Sequence, residues 1–252
     1  MHVRRPGSSV ISGATSDERM PSPPGDGAGG AVTARSIAEI AATLPGATRV
    51  FRHFHFDFCC MLDQPLDVVA AWHETPLEEV QAALAALPRV EPRSAPRSIE
   101  PLIGHILARY HAQHRVELPP LARLAETVET RHRGHPDLPI GLAGVLAELT
   151  DALDEQMRFE EMHLFPRLRH ESDGLENAFI ALCERHNALE DYLCCLETVT
   201  AGQQPPDDAC RRWRQLFAGT ERLVDDLIRH RHLETATLAD LWRDRAPRGP
   251  MH

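Results

Sequence analysis

The sequence predicts an all-α protein: a four-helix bundle preceded by a small helical domain. Three observations carry that expectation. Leu and Ala are abundant while Phe, Trp and Tyr make up only 5% of the chain, a balance that favours helices over sheets. Four long segments repeat their apolar residues at steps of three and four. No stretch shows the period-two alternation of a half-buried strand.

The elements follow in order. Residues 1–35 are rich in Gly, Pro and Ser and read as a disordered leader. A small helical domain is expected over 36–88. Its pieces are SIAEIAATL, closed by Pro45-Gly46; ATRVFRHF; PLDVVAAWHE; and PLEEVQAALAAL. Pro65 and Pro76 stand where a first-turn proline is tolerated. Between the second and third pieces lies a loop, HFDFCCMLDQ. Residues 88–97 form a Pro/Arg linker. The bundle is expected over 98–243. Segment A runs from Ser98 to about Arg131, with a kink expected at Pro119-Pro120. Segment B covers about Ile140 to His170, segment C about Leu175 to Val199, and segment D about Asp207 to Trp242. Long helices joined by modest loops describe a four-helix bundle.

Composition narrows the function classes. A chain of 252 residues with 42% hydrophobic content can bury a sizeable core without staples. A formal net charge of −10 argues against general nucleic-acid binding. No run approaches the roughly 20 apolar residues of a membrane span. Residues 1–35 lack the apolar core of a signal peptide, so a cytoplasmic setting is expected. The six cysteines include two adjacent pairs, Cys59-Cys60 and Cys194-Cys195, which suit a disulfide framework poorly. Fifteen histidines call for an explanation.

That explanation comes from the apolar seams. In segment D the inward series is Leu216, Leu223, Leu227, His230, Glu234 and Leu238. In segment C it is Phe179, Leu182, His186, Leu189, Leu193 and Leu196. Segment B gives Leu142, Leu146, Leu149, Leu153, Gln156, Glu160 and Leu164. Segment A gives Gly104, Leu107, His111, His114 and Leu118. Every helix therefore brings a polar group to the core at mid-length. A lone histidine on such a stripe is more often a hydrogen-bonded core residue than a ligand, and one His-x-x-x-Glu pair is as often an ordinary i,i+4 contact. Four segments with the same intrusion are a different matter. Buried carboxylates and imidazoles are costly without a cation to join them. Carboxylate plus imidazole without thiolate suits iron or manganese, and zinc less specifically. The candidate ligands are His111, Glu160, His186, His230 and Glu234. Glu160-x-x-His163 is also the i,i+3 pair of ferritin-like bundles, but that geometry needs the pair on two helices.

The residues also resemble a known family. Segment A carries Arg109-Tyr110-His111-Ala112-Gln113-His114, segment B Glu160-Glu161-Met162-His163-Leu164-Phe165-Pro166, segment C Glu184-Arg185-His186, and segment D His230-Arg231-His232-Leu233-Glu234. The small domain carries Asp57-Phe58-Cys59-Cys60. Together these resemble the iron-sulfur cluster repair di-iron proteins, a hemerythrin-like family, over nearly all of residues 36–240. The resemblance implies a non-haem di-iron centre bridged by Glu160 and Glu234, with His111, His186 and His230 as terminal ligands. It implies repair of iron-sulfur clusters after oxidative or nitrosative damage, by donation of iron, and a link to nitric oxide chemistry. Damaged iron-sulfur proteins are then the expected partners, with a second copy of the chain as a further one. The chain departs from the family where a histidine is usual four residues before the first bridging glutamate: Gln156 stands there, a poorer ligand than imidazole, which leaves one iron site weak, water-completed or empty, with either Gln156 or His163 as the residue to complete it. It departs again at Met61-Leu62, where glycines are usual, and at TLADLW in place of an LFP-like ending. A reversible dioxygen or nitric oxide carrier, and a bundle that has lost its metal, are the alternatives in other function classes.

Cys59 and Cys60 are the remaining candidates for chemistry. They are read either as small buried hydrophobes or as a redox and metal-delivery pair in which one thiolate attacks or delivers. Cys194 and Cys195, mid-helix, are expected to pack only.

Overall fold

The computed structural model describes residues 34–88, 96, 98–170 and 173–245, the last two by backbone alone. The expected leader, except for its last two residues, and most of the linker lie outside them. Among the described residues the chain is predominantly helical, with eight helices and no strands.

Four short helices make the small domain: α1 (Ile37–Thr43), α2 (Ala47–His53), α3 (Leu66–Trp72) and α4 (Leu77–Ala85). Ser36 caps α1 by accepting a hydrogen bond from the Glu39 amide, leaving fewer orphan donors at that end. Gly46 starts α2 at φ 89°, a left-handed conformation that glycine adopts without steric cost. Cys59 and Cys60 fall in a single 3₁₀ turn, Phe58–Cys60, where a featureless loop was expected.

The bundle has four helices. Helix α5 spans 99–131, as Ile99–Ile106, a π-helical turn Leu107–His111, and Ala112–Arg131. Helix α6 spans 142–170, as Leu142–Phe159, a π turn Glu160–Leu164, and Phe165–His170. Helix α7 is Leu175–Val199. Helix α8 spans 211–245, as Arg211–His232, a π turn Leu233–Leu238, and Ala239–Arg245. Each helix packs on the next, and α8 returns to pack on α5, which closes the bundle. Pro119 and Pro120 lie inside the span Ala112–Arg131; the departure from α geometry in α5 sits upstream, at the π turn.

That turn corrects the stripe expected for segment A. Gly104 is exposed and Leu107 only half-buried, while Ile99, Leu102, Ile103 and Ile106 are buried. A π turn holds one residue more than an α turn. Counting back from His111 at α spacing therefore lands on the wrong face. The stripes of α6, α7 and α8 follow the expected residues, with Phe179 and Leu189 half-buried.

The buried side chains form two apolar clusters. One fills the end of the bundle built from the start of α5, the end of α6, the start of α7 and Leu238 of α8, and includes Phe165. The other fills the opposite end, around Leu149, Leu153, Trp213 and Leu227, and runs on without a break into the small domain through Phe51, Phe58, Leu62 and Leu66. Helix α1 lies on α8, and the 3₁₀ turn lies on α7. Buried Arg52 donates to both carboxylate oxygens of Glu197 at 2.6 and 2.9 Å. Thr48 donates to Asp225 at 2.6 Å, and Arg231 joins Asp63 and Glu190. Cys60 is bonded to Cys194 of α7, across 134 residues. The sequence reads the cysteine pairs as suiting a disulfide framework poorly and Cys194 as only packing; here the bond runs between the two pairs, a juxtaposition that only the tertiary fold creates.

Candidate metal centre

A belt of polar residues separates the two clusters. His111, His114, Gln156, Glu160, His186, His230 and Glu234 are each at most 3% exposed. Each π turn carries one of the candidate ligands: His111 ends the first, Glu160 opens the second, and Glu234 stands second in the third. Widened turns of this kind re-aim side chains and recur at functional sites.

The belt is built around the two glutamates, and each faces two ways. Glu160 Oε2 lies 2.9 Å from His111 Nε2, while its Oε1 accepts a hydrogen bond from the Gln156 amide at 2.8 Å. Glu234 Oε1 lies 3.1 Å from His230 Nε2 and 4.0 Å from His111 Nε2, while its Oε2 lies 3.1 Å from His186 Nε2. His111, His230 and one oxygen of each glutamate thus converge on one point, while Gln156 and His186 each engage the other oxygen of one glutamate. Ligand atoms of His111, Glu160, His230 and Glu234 all lie within 4.8 Å of one another.

The approaches within the first of these groups are not hydrogen bonds, unlike those of Gln156 to Glu160 and His186 to Glu234. His111 Nε2, Glu160 Oε2, His230 Nε2 and Glu234 Oε1 are buried and have no hydrogen-bond partner. Buried polar atoms are normally paired. Four lone-pair donors that converge without donating to one another are the arrangement a cation completes, and two imidazoles with two carboxylates suit a first-row transition metal. Gln156 Oε1 and His186 Nδ1 are unpartnered as well, beside a cavity of about 20 Å³ lined by Gln156, His186 and His230.

Protonation follows from burial and neighbours. Burial first, and then the charge of His230, hold His111 below the usual imidazole range. Burial also depresses His186. These imidazoles are therefore neutral, the form that binds metal. Burial and the facing Glu234 push Glu160 well above the usual carboxylate range. Burial acts in the same direction on Glu234, but His230 and His186 outweigh it and hold that carboxyl well below. One proton between two carboxylates relieves their repulsion, and a cation would displace it.

Surrounding contacts fix the candidate ligands. Glu161 Oε1 accepts from His111 Nδ1 at 2.8 Å and from Arg115 at 2.8 Å. This leaves His111 Nε2 as its free nitrogen, the carboxylate–histidine arrangement common behind metal ligands. Tyr110 stacks on His230 with ring centroids 5.0 Å apart, and Phe165 stacks on His111 at 5.7 Å. His114 packs against His230 at 5.5 Å. Burial and the neighbouring His230 push His114 down to about 3, so it too is neutral.

The structure gathers all five candidate ligands in the belt, with His186 on the far side of Glu234 from the other three. It adds His114, Gln156 and Glu161. The sequence held signals for each: His114 and Gln156 on the apolar stripes, Glu161 in the Glu-Glu pair. His163 does not substitute for the missing histidine. It is exposed, with its ring against Phe159, because the π turn carries it off the inner face. Cys59 and Cys60 lie outside the belt: Cys59 is buried in the small domain's core and Cys60 is exposed.

Fold and site together define a helical-bundle cation-binding protein with a cysteine-bearing domain in front. Residues 102–242 match the hemerythrin HHE cation binding domain, and residues 33–88 match a domain of unknown function, DUF542. The iron-sulfur cluster repair protein YtfE of Dickeya chrysanthemi is 36% identical over 208 residues, 81% of this chain and 94% of the relative. The probable iron-sulfur cluster repair protein of Haemophilus influenzae is 32% identical, and the YtfE protein of Yersinia pseudotuberculosis 34% identical, with the same coverage of each chain. The chain belongs to this hemerythrin-like family of iron-sulfur cluster repair proteins. Among the described residues no helix is long and apolar enough to cross a membrane.

Proposed function

We propose that the belt holds a pair of iron ions and that the protein repairs damaged iron-sulfur clusters by giving up iron. The observation that carries this is the set of four buried, unpartnered donor atoms on His111, Glu160, His230 and Glu234. Their type favours iron over a softer thiolate-seeking metal, and the relatives are named for cluster repair.

His111, His230, Glu160 Oε2 and Glu234 Oε1 would hold the first ion. His186, Gln156 and the outer glutamate oxygens would hold the second. Bound iron would supply a labile, redox-active cation for a damaged cluster. The residues do the rest: Glu161 keeps His111 in the ligating tautomer, the two glutamates balance the charge, and the apolar clusters on either side exclude water. The second pocket is the poorer one. A neutral amide donates less well than an imidazole, and the Gln156 amide hydrogen occupies the very Glu160 oxygen an ion would use. An ion held by His186 and Gln156 would be the more loosely bound and the one suited to transfer.

Metal analysis of protein purified without oxygen, joined with optical spectra, tests this. The expected result is close to two irons per chain after reconstitution, one of them lost rapidly to a chelator, with Gln156→His slowing that loss at least tenfold. Near-zero iron after reconstitution overturns the reading. Two irons that leave at one rate overturn the assignment of the labile site.

A further inference from the structure

Outside the belt, three sulfur atoms gather where the small domain meets the bundle. Cys59, Cys60 and Cys194 have their sulfurs within 4.8 Å of one another. Cys60 is exposed, Cys194 half-buried and Cys59 4% exposed. Cys60 is joined to Cys194, with Cα atoms 6.2 Å apart, and Cys59 Sγ stands 3.9 Å from Cys60 Sγ. A cavity of about 320 Å³, lined by Arg52, Phe58, the three cysteines and Glu197, opens beside them. The belt uses none of these residues.

We propose that Cys60 and Cys194 form a reversible thiol–disulfide site, made by a hydroperoxide and undone by a dithiol, that covalently clips the small domain to the helix bearing His186. The site stands whether or not the belt binds iron.

The chemistry balances as follows. The Cys60 thiolate attacks a peroxide oxygen, which leaves Cys60 as a sulfenic acid and releases water or an alcohol. Cys194 then attacks the Cys60 sulfur and the sulfenic oxygen departs as water. Two thiols have lost two electrons and two protons to one hydroperoxide. In reverse, one thiolate of a dithiol attacks Cys60 Sγ, the exposed end of the bond, and Cys194 leaves as a thiolate. The second thiol of the reagent resolves the mixed disulfide. The reagent ends as its own disulfide, and its two protons end on Cys60 and Cys194.

Position decides the roles of the three cysteines. An attacking thiol needs access and thiolate character. Cys60 is exposed and Cys194 half-buried beside the cavity. Cys59 touches the cavity but is only 4% exposed and packs among Phe51, Phe58 and Leu62, and burial, with the charge of Glu197, pushes its thiol up to about 12. It therefore stays protonated and does not compete for Cys60. Adjacent cysteines invite the expectation of a vicinal pair; the fold instead gives Cys60 a partner on another domain.

The test uses the full chain. Protein is treated with a slight excess of hydrogen peroxide or with dithiothreitol, alkylated while folded, digested and mapped by mass spectrometry. The expected result is a cross-linked peptide joining Cys60 to Cys194 after peroxide, absent after dithiothreitol, with two more alkylated thiols in the reduced sample. Cys59→Ser should keep the link, and Cys194→Ser should abolish it. If Cys194→Ser does not fold, Cys60→Ser removes the same bond from its exposed side. A Cys59–Cys60 pairing, a disulfide between chains, or no link at all overturns the proposal. So does a Cys60–Cys194 bond that dithiothreitol leaves intact in the folded protein, because it would then be a fixed staple.

Discussion

At the scale of single residues, the proposed centre would depend on atoms one step removed from its candidate ligands. His111 presents Nε2 because its Nδ1 is engaged by Glu161, which is itself held by Arg115. Such partners typically contribute 10–100-fold to metal affinity. Glu161→Ala is therefore expected to weaken iron binding by about that factor while the fold persists, since Glu161 is partly exposed. A competition titration against a chelator measures it, and unchanged affinity would show that His111 holds its orientation unaided. Glu160 and Glu234 illustrate a second residue-scale effect. Identical side chains, equally buried, are driven in opposite directions, one by a facing carboxylate and the other by two imidazoles.

At the scale of elements, the three π turns determine what the sequence could and could not reveal. A histidine or glutamate on a leucine stripe is legible, because seam periodicity depends on polarity alone; that is how His111, Glu160, His186, His230 and Glu234 stand out. The widened turns are not legible, because nothing in LARYH, EEMHL or LETATL marks five-residue hydrogen bonding. For that reason the stripe before His111 is phased onto Gly104 and Leu107, although Ile103 and Ile106 are the buried residues. For the same reason His163 looks within reach of the site although it faces solvent. Glu161 was visible as a motif letter but not as a partner, since its contact crosses to α5. Deleting Thr235 should return α8 to α geometry at Glu234 and take that carboxylate off the belt. The expected outcome is helicity within a few percent of the parent by circular dichroism and a roughly tenfold or greater fall in iron affinity; parent-like iron content would show that the π turn does not place Glu234.

At the scale of the whole molecule, the small domain and the bundle form one body. Their apolar residues share a cluster, and Arg52 with Glu197 makes a nearly buried ion pair across the join, 7% and 11% exposed. Removing one partner of such a pair typically costs about 3–5 kcal/mol, because the other is left without compensation. Arg52→Ala should lower the unfolding free energy in urea by about that amount, and Arg52→Ala with Glu197→Gln by less. A loss under about 1 kcal/mol would mean that the ion pair is not what couples the two parts. This join was invisible in the sequence: the small domain was legible as helices, but its partner surface lies more than a hundred residues away, on α7 and α8.

The division of the core into two apolar clusters has a mechanical consequence. Greasy contact does not run continuously from one end of the bundle to the other; it stops at the belt and resumes beyond it. The two ends are therefore coupled across a hinge plane whose cohesion comes from imidazoles, carboxylates and the cation they would share. With metal bound, the halves should open to solvent as one unit. Stripped of metal, the Phe165 end should exchange its amide hydrogens well before the Trp213 end, which the small domain reinforces. Equal protection at both ends of the metal-free protein would show that the belt transmits cohesion without a cation. On this view a bound ion would serve as the keystone between two separately stable arcs as well as cargo, and releasing it would loosen the protein that released it.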